Sequence, residues 1–187
     1  GRWVEGPGAA LFDALRGALG TVPVIAEDLG VITPEITALR ERFGLPGMRV
    51  LQFAFGDDAR NPYLPHNYAV DTVAYTGTHD NDTSVGWFAA AGPRERAFAQ
   101  TYLQTDGREI HWDLIRAASQ SVAAMAIYPF QDVLGFDTAA RMNVPGQAEG
   151  HWSWRFAWTE VPDWPGRRLR AISAAHGRNG VGLDGVI

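Results

Sequence analysis

The chain has 187 residues, 46% hydrophobic and 20% charged, with a formal net charge of −5 and no cysteine. That length builds one sizeable domain with its own core, and the lack of cysteine excludes a disulfide scaffold and thiolate chemistry. An acidic chain without a Lys/Arg block excludes a nucleic-acid backbone as partner, and no apolar run approaches the roughly 20 residues that cross a bilayer.

The elements follow in order. Residues 7–20 place Leu11, Leu15 and Leu19 one helical turn apart, with Pro7 near the start and Gly20 as the stop, which predicts an amphipathic helix. Residues 22–28, VPVIAED, read as a short strand buried on both faces, with Val24, Ile25 and Ala26 inside and Glu27 and Asp28 presented at its end. A second helix is expected over 33–44, with Thr33 as N-cap, Pro34 and Glu35 in the first turn and Gly44 ending it. Strands are expected at 48–55, 69–77 and 123–130, and helices at 83–91, 93–103, 110–121 and 165–176. Strands separated by helices imply parallel pairing, either as an open doubly wound sheet or as half of a (β/α)8 barrel. Both architectures bind ligands at the C-terminal ends of the strands.

Those ends carry Glu27 and Asp28, then Phe53 and Asp57, then His79, Asp80, Asn81 and Asp82, then Gln131 and Asp132, with Asn143 further on. No Gly-rich phosphate cradle follows any strand, so nucleotide binding through those motifs is unsupported. A calcium loop begun at Asp80 fails, because Val85 falls at its glycine position and Ala91 at its bidentate glutamate; metal binding is therefore not expected. Asp82 or Thr83 has an ordinary duty as cap of the next helix, and Asp28 is as well suited to bracing the loop as to catalysis. Glu27 and Asp80 are the first ionisable groups beyond their strands. In a parallel barrel they would converge on one cleft, where burial raises the pKa of a general acid. Two such carboxylates suit glycosidic-bond chemistry. Seven Trp and five Tyr add flat apolar faces that fit sugars, although filling the core accounts for them equally well.

At this point a resemblance enters. The stretches IAEDLG, GMRVLQFAF, NPYLPHNY, YTGTHDNDT and MNVPG…HWSWR occur in this order and resemble the amylomaltases, 4-α-glucanotransferases also called disproportionating enzymes. The opening GRWVEGPGAALF looks like the segment that precedes the acid/base strand in that family, so the likeness covers essentially the whole chain. It implies the C-terminal half of a (β/α)8 TIM barrel, strands 5 to 8 with their helices, as one unit over 1–187. By motif, Glu27 takes the position of the general acid/base, Asp80 that of a transition-state-stabilising carboxylate and His79 that of a sugar-binding histidine. Phe53 and Asp57 match an aromatic–acid pair lining the cleft, and Asn143 a loop that closes over the donor sugar. The substrates implied are α-1,4-glucans and maltooligosaccharides; no cofactor or metal is implied, and a cytoplasmic location is expected.

Two departures accompany the match. The family's nucleophilic Asp, with an Arg two residues before it, sits on the fourth strand, and both fall before Gly1. His151 stands where the family usually has Asn before WSWR. A chain that starts at Gly1 rather than Met therefore reads as the C-terminal portion of a longer enzyme, partnered by the N-terminal half of the barrel and inactive by itself. Two rivals stay open: an α-glucan hydrolase on the same barrel, and a non-catalytic glucan-binding remnant.

Overall fold

The computed structural model describes residues 1–178 except Trp3 and Val22. Val22, the first residue of the first expected strand, thus lies outside the described residues. The element order is α1 (Ala9–Leu19), α2 (Pro34–Arg42), β1 (Gly47–Val50), β2 (Thr72–Tyr75), α3 (Ser84–Ala90), α4 (Pro93–Leu103), α5 (Ile110–Gln120), β3 (Met125–Ile127), α6 (Phe130–Leu134) and α7 (Trp164–Ala175). The three strands form a parallel sheet in the order β1-β2-β3, as expected; α3 to α5 join β2 to β3, whereas residues 51–71 join β1 to β2 without an α-helix. The fold is α/β. None of the described helices is long and apolar enough to cross a membrane.

The register puts Arg49 beside Ala74 and Ala74 beside Ala126, and the two alanines of this row pack into the core with the helices. The main core lies there, built from Phe55, Leu64, Ala74, Leu103, Ile110 and Leu114 among others, with a second cluster of Trp112, Ile115 and Val133 reached by Leu169 and Ile172 of α7. The next row, Val50–Tyr75–Ile127, therefore points to the opposite face. It also ends all three strands, so their C-termini share one edge.

Three expectations need correction: the strand at 22–28, its burial on both faces, and the lengths of the other strands. Residues 23–28 run beside β1 but form no ladder. Ala26 N–H donates to the Pro46 carbonyl (2.9 Å), and the next rung is made by a side chain, with Met48 N–H donating to Asp28 Oδ1 (2.6 Å). Val24 and Ile25 are 36% and 39% exposed, because among the described residues nothing covers their far side. Helix α1 forms over Ala9–Leu19 as expected but buries none of its residues fully; Leu11 and Leu19 are exposed, and it is tied to Phe43 by the ring of Phe12 (centroids 4.9 Å) and by Arg16 Nη2 donating to the Phe43 carbonyl (2.6 Å). The strands are shorter than their apolar runs. After Val50 the chain turns into a 3-10 segment, Leu51–Phe53, and after Ile127 into α6, which the apolar pattern alone did not distinguish from strand.

Asp28 is the bracing residue. At 8% exposure it accepts from Met48 N–H and from Arg49 Nη1 (3.3 Å), and Arg40 Nε lies 3.6 Å away. Gly47 packs so close to this carboxyl that a Cβ would stand 2.8 Å from its carbon. Asp28→Ala should cost about 3 kcal/mol or more, because it leaves partly buried arginines and a backbone donor without their acceptor. Urea unfolding of the variant chain measures it; a loss below about 1 kcal/mol would remove Asp28 as the brace.

Candidate active site

The C-terminal edge of the sheet opens into a cleft of about 430 Å³ lined by Glu27, Met48, Tyr75, His79, Asp80 and Arg141 among others. Glu27 arrives from the segment that Asp28 anchors, so the buried neighbour sets where the exposed one stands. His79 and Asp80 arrive on residues 76–83, which join β2 to α3. The expected burial of the acid does not occur: Glu27 is exposed, and about half of the Asp80 side chain is open to solvent.

The loop bearing Asp80 is short and closely tied. Within it, Thr78 N–H and Oγ1 both donate to Asn81 Oδ1 (2.9 and 2.8 Å), making a tight side-chain turn. From outside, Arg141 Nη2 donates to the Asp80 carbonyl (2.8 Å) and its Nε to the Asn143 carbonyl (2.7 Å). Asn143 Nδ2 donates to Asp80 Oδ1 (2.6 Å), and Asn143 N–H to the His79 carbonyl (3.1 Å). His79 Nε2 stands 3.5 Å from that same Oδ1. Asp80 therefore has two polar neighbours on one oxygen, which fixes how its carboxylate is turned toward the cleft.

The far end of the loop is held by capping. Thr83 Oγ1 accepts from Gly86 N–H (3.0 Å) at the start of α3, the duty expected for Asp82 or Thr83. Asp82 instead accepts from Thr83 N–H (2.7 Å) and Thr138 Oγ1 (2.9 Å), and its carbonyl accepts from Gln52 Nε2 (2.8 Å).

Of the residues expected at the site, Glu27, His79 and Asp80 line one cleft, and Asn143 joins them through Asp80. Phe53 and Asp57 are not among the cleft's lining residues. Phe53 is half-exposed with its ring edge-on to Tyr63 (5.4 Å), and Asp57 is exposed. Arg141 was missed by the sequence reading; an arginine two positions before Asn143 in a loop carries no periodicity that marks it. Gln131 also lines the cleft, its Nε2 donating to the Ala140 carbonyl (3.1 Å). His151, the family departure, accepts from Val144 N–H at Nδ1 (3.3 Å), so its proton sits on Nε2, which has no partner among the described residues. Its neighbour Trp152 has a left-handed backbone (φ 58°) and places its ring 5.1 Å from that of His79, a local strain at the rim of the cleft.

Carboxylates and a histidine gathered at the C-terminal edge of a parallel sheet are the layout of an α/β enzyme site. Over residues 1–160 the sequence matches the family model described as 4-alpha-glucanotransferase. It is 52% identical to the 4-alpha-glucanotransferase of Thermus thermophilus across 94% of this chain and 37% of that protein. It is 51% identical to the Synechocystis 4-alpha-glucanotransferase across 95% and 36%. Its structure is similar to the amylomaltase of Streptococcus agalactiae solved with acarbose, with a TM-score of 0.90 and 33% identity over 95% of this chain and 36% of that one. The chain belongs to the 4-alpha-glucanotransferase family, as its motifs implied, and spans a little over a third of the length of these relatives.

The packing around α3 makes a test of this frame. An added Cβ on Gly86 would stand 2.5 Å from Asp82 Oδ1 and would also run into Thr138 Oγ1, between two side chains that hydrogen-bond to each other. In an open helix Gly→Ala gains about 1 kcal/mol. Here Gly86→Ala should instead lose about 1–3 kcal/mol by overpacking, read from the denaturation midpoint. A stabilised variant would show that the Asp82–Thr138 bond is not held in place.

Proposed function

We propose that this chain is the C-terminal half of a (β/α)8 barrel, supplying strands 5 to 8, in a retaining 4-α-glucanotransferase that acts on α-1,4-glucans and maltooligosaccharides. The observation that carries the reading is that Glu27 and Asp80, from elements far apart in sequence, line one cleft with His79 at the C-terminal edge of a parallel sheet. The segment 23–28 running beside β1 supports the barrel order, as a fifth strand whose other neighbour belongs to the preceding half.

In this reading Glu27 protonates the departing glycosidic oxygen while a nucleophilic carboxylate attacks the anomeric carbon and forms a glycosyl-enzyme. Glu27, now a base, then takes the proton from the 4-hydroxyl of an acceptor glucan, whose oxygen displaces the enzyme. The exposed position of Glu27 suits this exchange, because leaving group and acceptor must reach it in turn. Asp80, held by Asn143, binds the hydroxyls of the reacting sugar as the ring flattens toward an oxocarbenium ion. His79 binds the same sugar, and Trp152 beside it offers a flat apolar rim. Phe53 and Asp57 are assigned to more distant sugars of the chain, outside the cleft itself. No cofactor is required, and a cytoplasmic site of action fits storage glucans. The nucleophile belongs to the preceding strand: the cleft's other carboxylate, Asp82, is committed to Thr83 and Thr138.

Glu27→Gln in the enzyme that carries this segment should lower maltotriose disproportionation by about 10²–10⁴-fold while glucan affinity is kept, because the amide is isosteric but cannot shuttle a proton. Near-normal turnover would take Glu27 out of the mechanism. Accumulation of glucose without longer maltodextrins in the wild type would favour the hydrolase reading. The 187-residue polypeptide by itself should redistribute no maltotriose. Longer products that appear with it and vanish in its Glu27→Gln form would mean that the nucleophile lies among these residues.

A further inference from the structure

Asp132, in the first turn of α6, is the most deeply buried of the described carboxylates, at 1% exposure. Removing a carboxylate from water costs several kcal/mol unless donors replace the lost solvent. Three do so here. Thr76 Oγ1 (2.6 Å) and Ser84 Oγ (2.7 Å) donate to Oδ2, and Ser84 N–H (2.7 Å) donates to Oδ1. Burial pushes the Asp132 carboxyl above the usual carboxylate range, and the Ser84 amide and the two hydroxyls pull it back.

The partners matter more than their number. Thr76 is the first residue beyond β2 and Ser84 the first of α3, both fully buried. Between them run residues 77–83, which carry His79 and Asp80 into the cleft. One carboxylate thus clamps both feet of the loop, whereas Arg141 and Asn143 hold only its crest. Asp132 alone ties the two feet to each other, so losing it lets them separate and carries Asp80 with them.

We infer that Asp132 is a positioning residue for glucan transfer: by holding Thr76 against Ser84 it sets where the loop presents Asp80 to the reacting sugar. This rests on the reading of Asp80 as the carboxylate that stabilises the transition state. Misplacement of such a group by about 1 Å costs on the order of 10²-fold.

The test uses the enzyme that carries this segment, with acarbose as probe of a flattened, cationic sugar and maltotriose as ordinary substrate. Asp132→Ala should raise the acarbose inhibition constant by about tenfold or more and change the maltotriose KM by less than about threefold. Asp132→Asn, which keeps an acceptor for Ser84 N–H, should recover most of the loss. In an Asp80→Asn background the Asp132→Ala change should add little, since both act through one group. Hydrogen exchange should quicken in residues 77–83 and stay unchanged in α5. If Asp132→Ala does not fold, Ser84→Ala removes one of the three bonds and should shift acarbose and exchange in the same direction by less. Unchanged acarbose inhibition with unchanged loop exchange, even with a lower unfolding temperature, overturns the inference. A wild-type enzyme that neither transfers glucans nor binds acarbose would sink the reading of Asp80 instead. Exchange then decides alone: quickening in 77–83 keeps Asp132 as the loop's clamp, and its absence removes it.

Discussion

Parallel pairing is the constraint from which the rest follows. When β1, β2 and β3 run in one direction, their C-terminal residues must share an edge, and each connection must cross over a face of the sheet, through residues 51–71 between β1 and β2 and through α3 to α5 between β2 and β3. The return helices bury the Ala74–Ala126 row, which leaves Tyr75 and Ile127 to line the opposite side. Small residues on the helix face let α3 to α5 approach closely; larger ones on the cleft face give it walls. A site at this edge can recruit side chains from segments as far apart as Glu27 and Arg141. Its precision then depends on the loops, because the sheet fixes only where each loop begins.

The loop between β2 and α3 shows how that precision is reached. It is held at its feet by Asp132, at its crest by Arg141 and Asn143, and at its exit by Gln52 and Thr138 through Asp82. Each tie comes from a different part of the chain, so the loop cannot shift as a unit without breaking bonds to several loops and to α6. That arrangement suits a half-exposed carboxylate, which has no apolar packing of its own to hold it.

What could be read from the sequence follows the same division. Helix boundaries were legible, since Thr83, Pro34 and Gly44 act locally and their signals sit beside the elements they bound. The parallel order was legible because it needs only the alternation of elements. The convergence of Glu27 with His79 and Asp80 followed from that order. Burial was less legible. The apolar run at 23–26 is the pattern of a strand covered on both faces, yet Val24 and Ile25 are covered here on one side only. Periodicity records the environment a segment is suited to, and it cannot show which neighbours are present. The ties from Gln52, Arg141 and Thr138 were illegible for another reason: each is a single polar residue in a short turn or loop without periodicity, and its partner lies 30 to 61 positions away.

Position beyond a strand selected the acidic residues worth considering, but burial sorts them into two kinds. Asp28 and Asp132 are enclosed, and each spends its lone pairs on backbone amides and on side chains of the frame. Glu27 and Asp80 are open, with free oxygen surface toward the cleft. Each open carboxylate is set by an enclosed one: Glu27 by its neighbour Asp28, and Asp80 through the loop that Asp132 clamps. A carboxylate that must meet a changing substrate cannot also be saturated by fixed donors, because every bond to the frame occupies a lone pair the sugar would need. In the proposed mechanism, holding the chain and doing the chemistry therefore fall to different residues, and the architectural acids lie beside those assigned to the chemistry in sequence or in space. That is why neighbouring acids such as Glu27 and Asp28 look interchangeable on paper while the fold treats them in opposite ways.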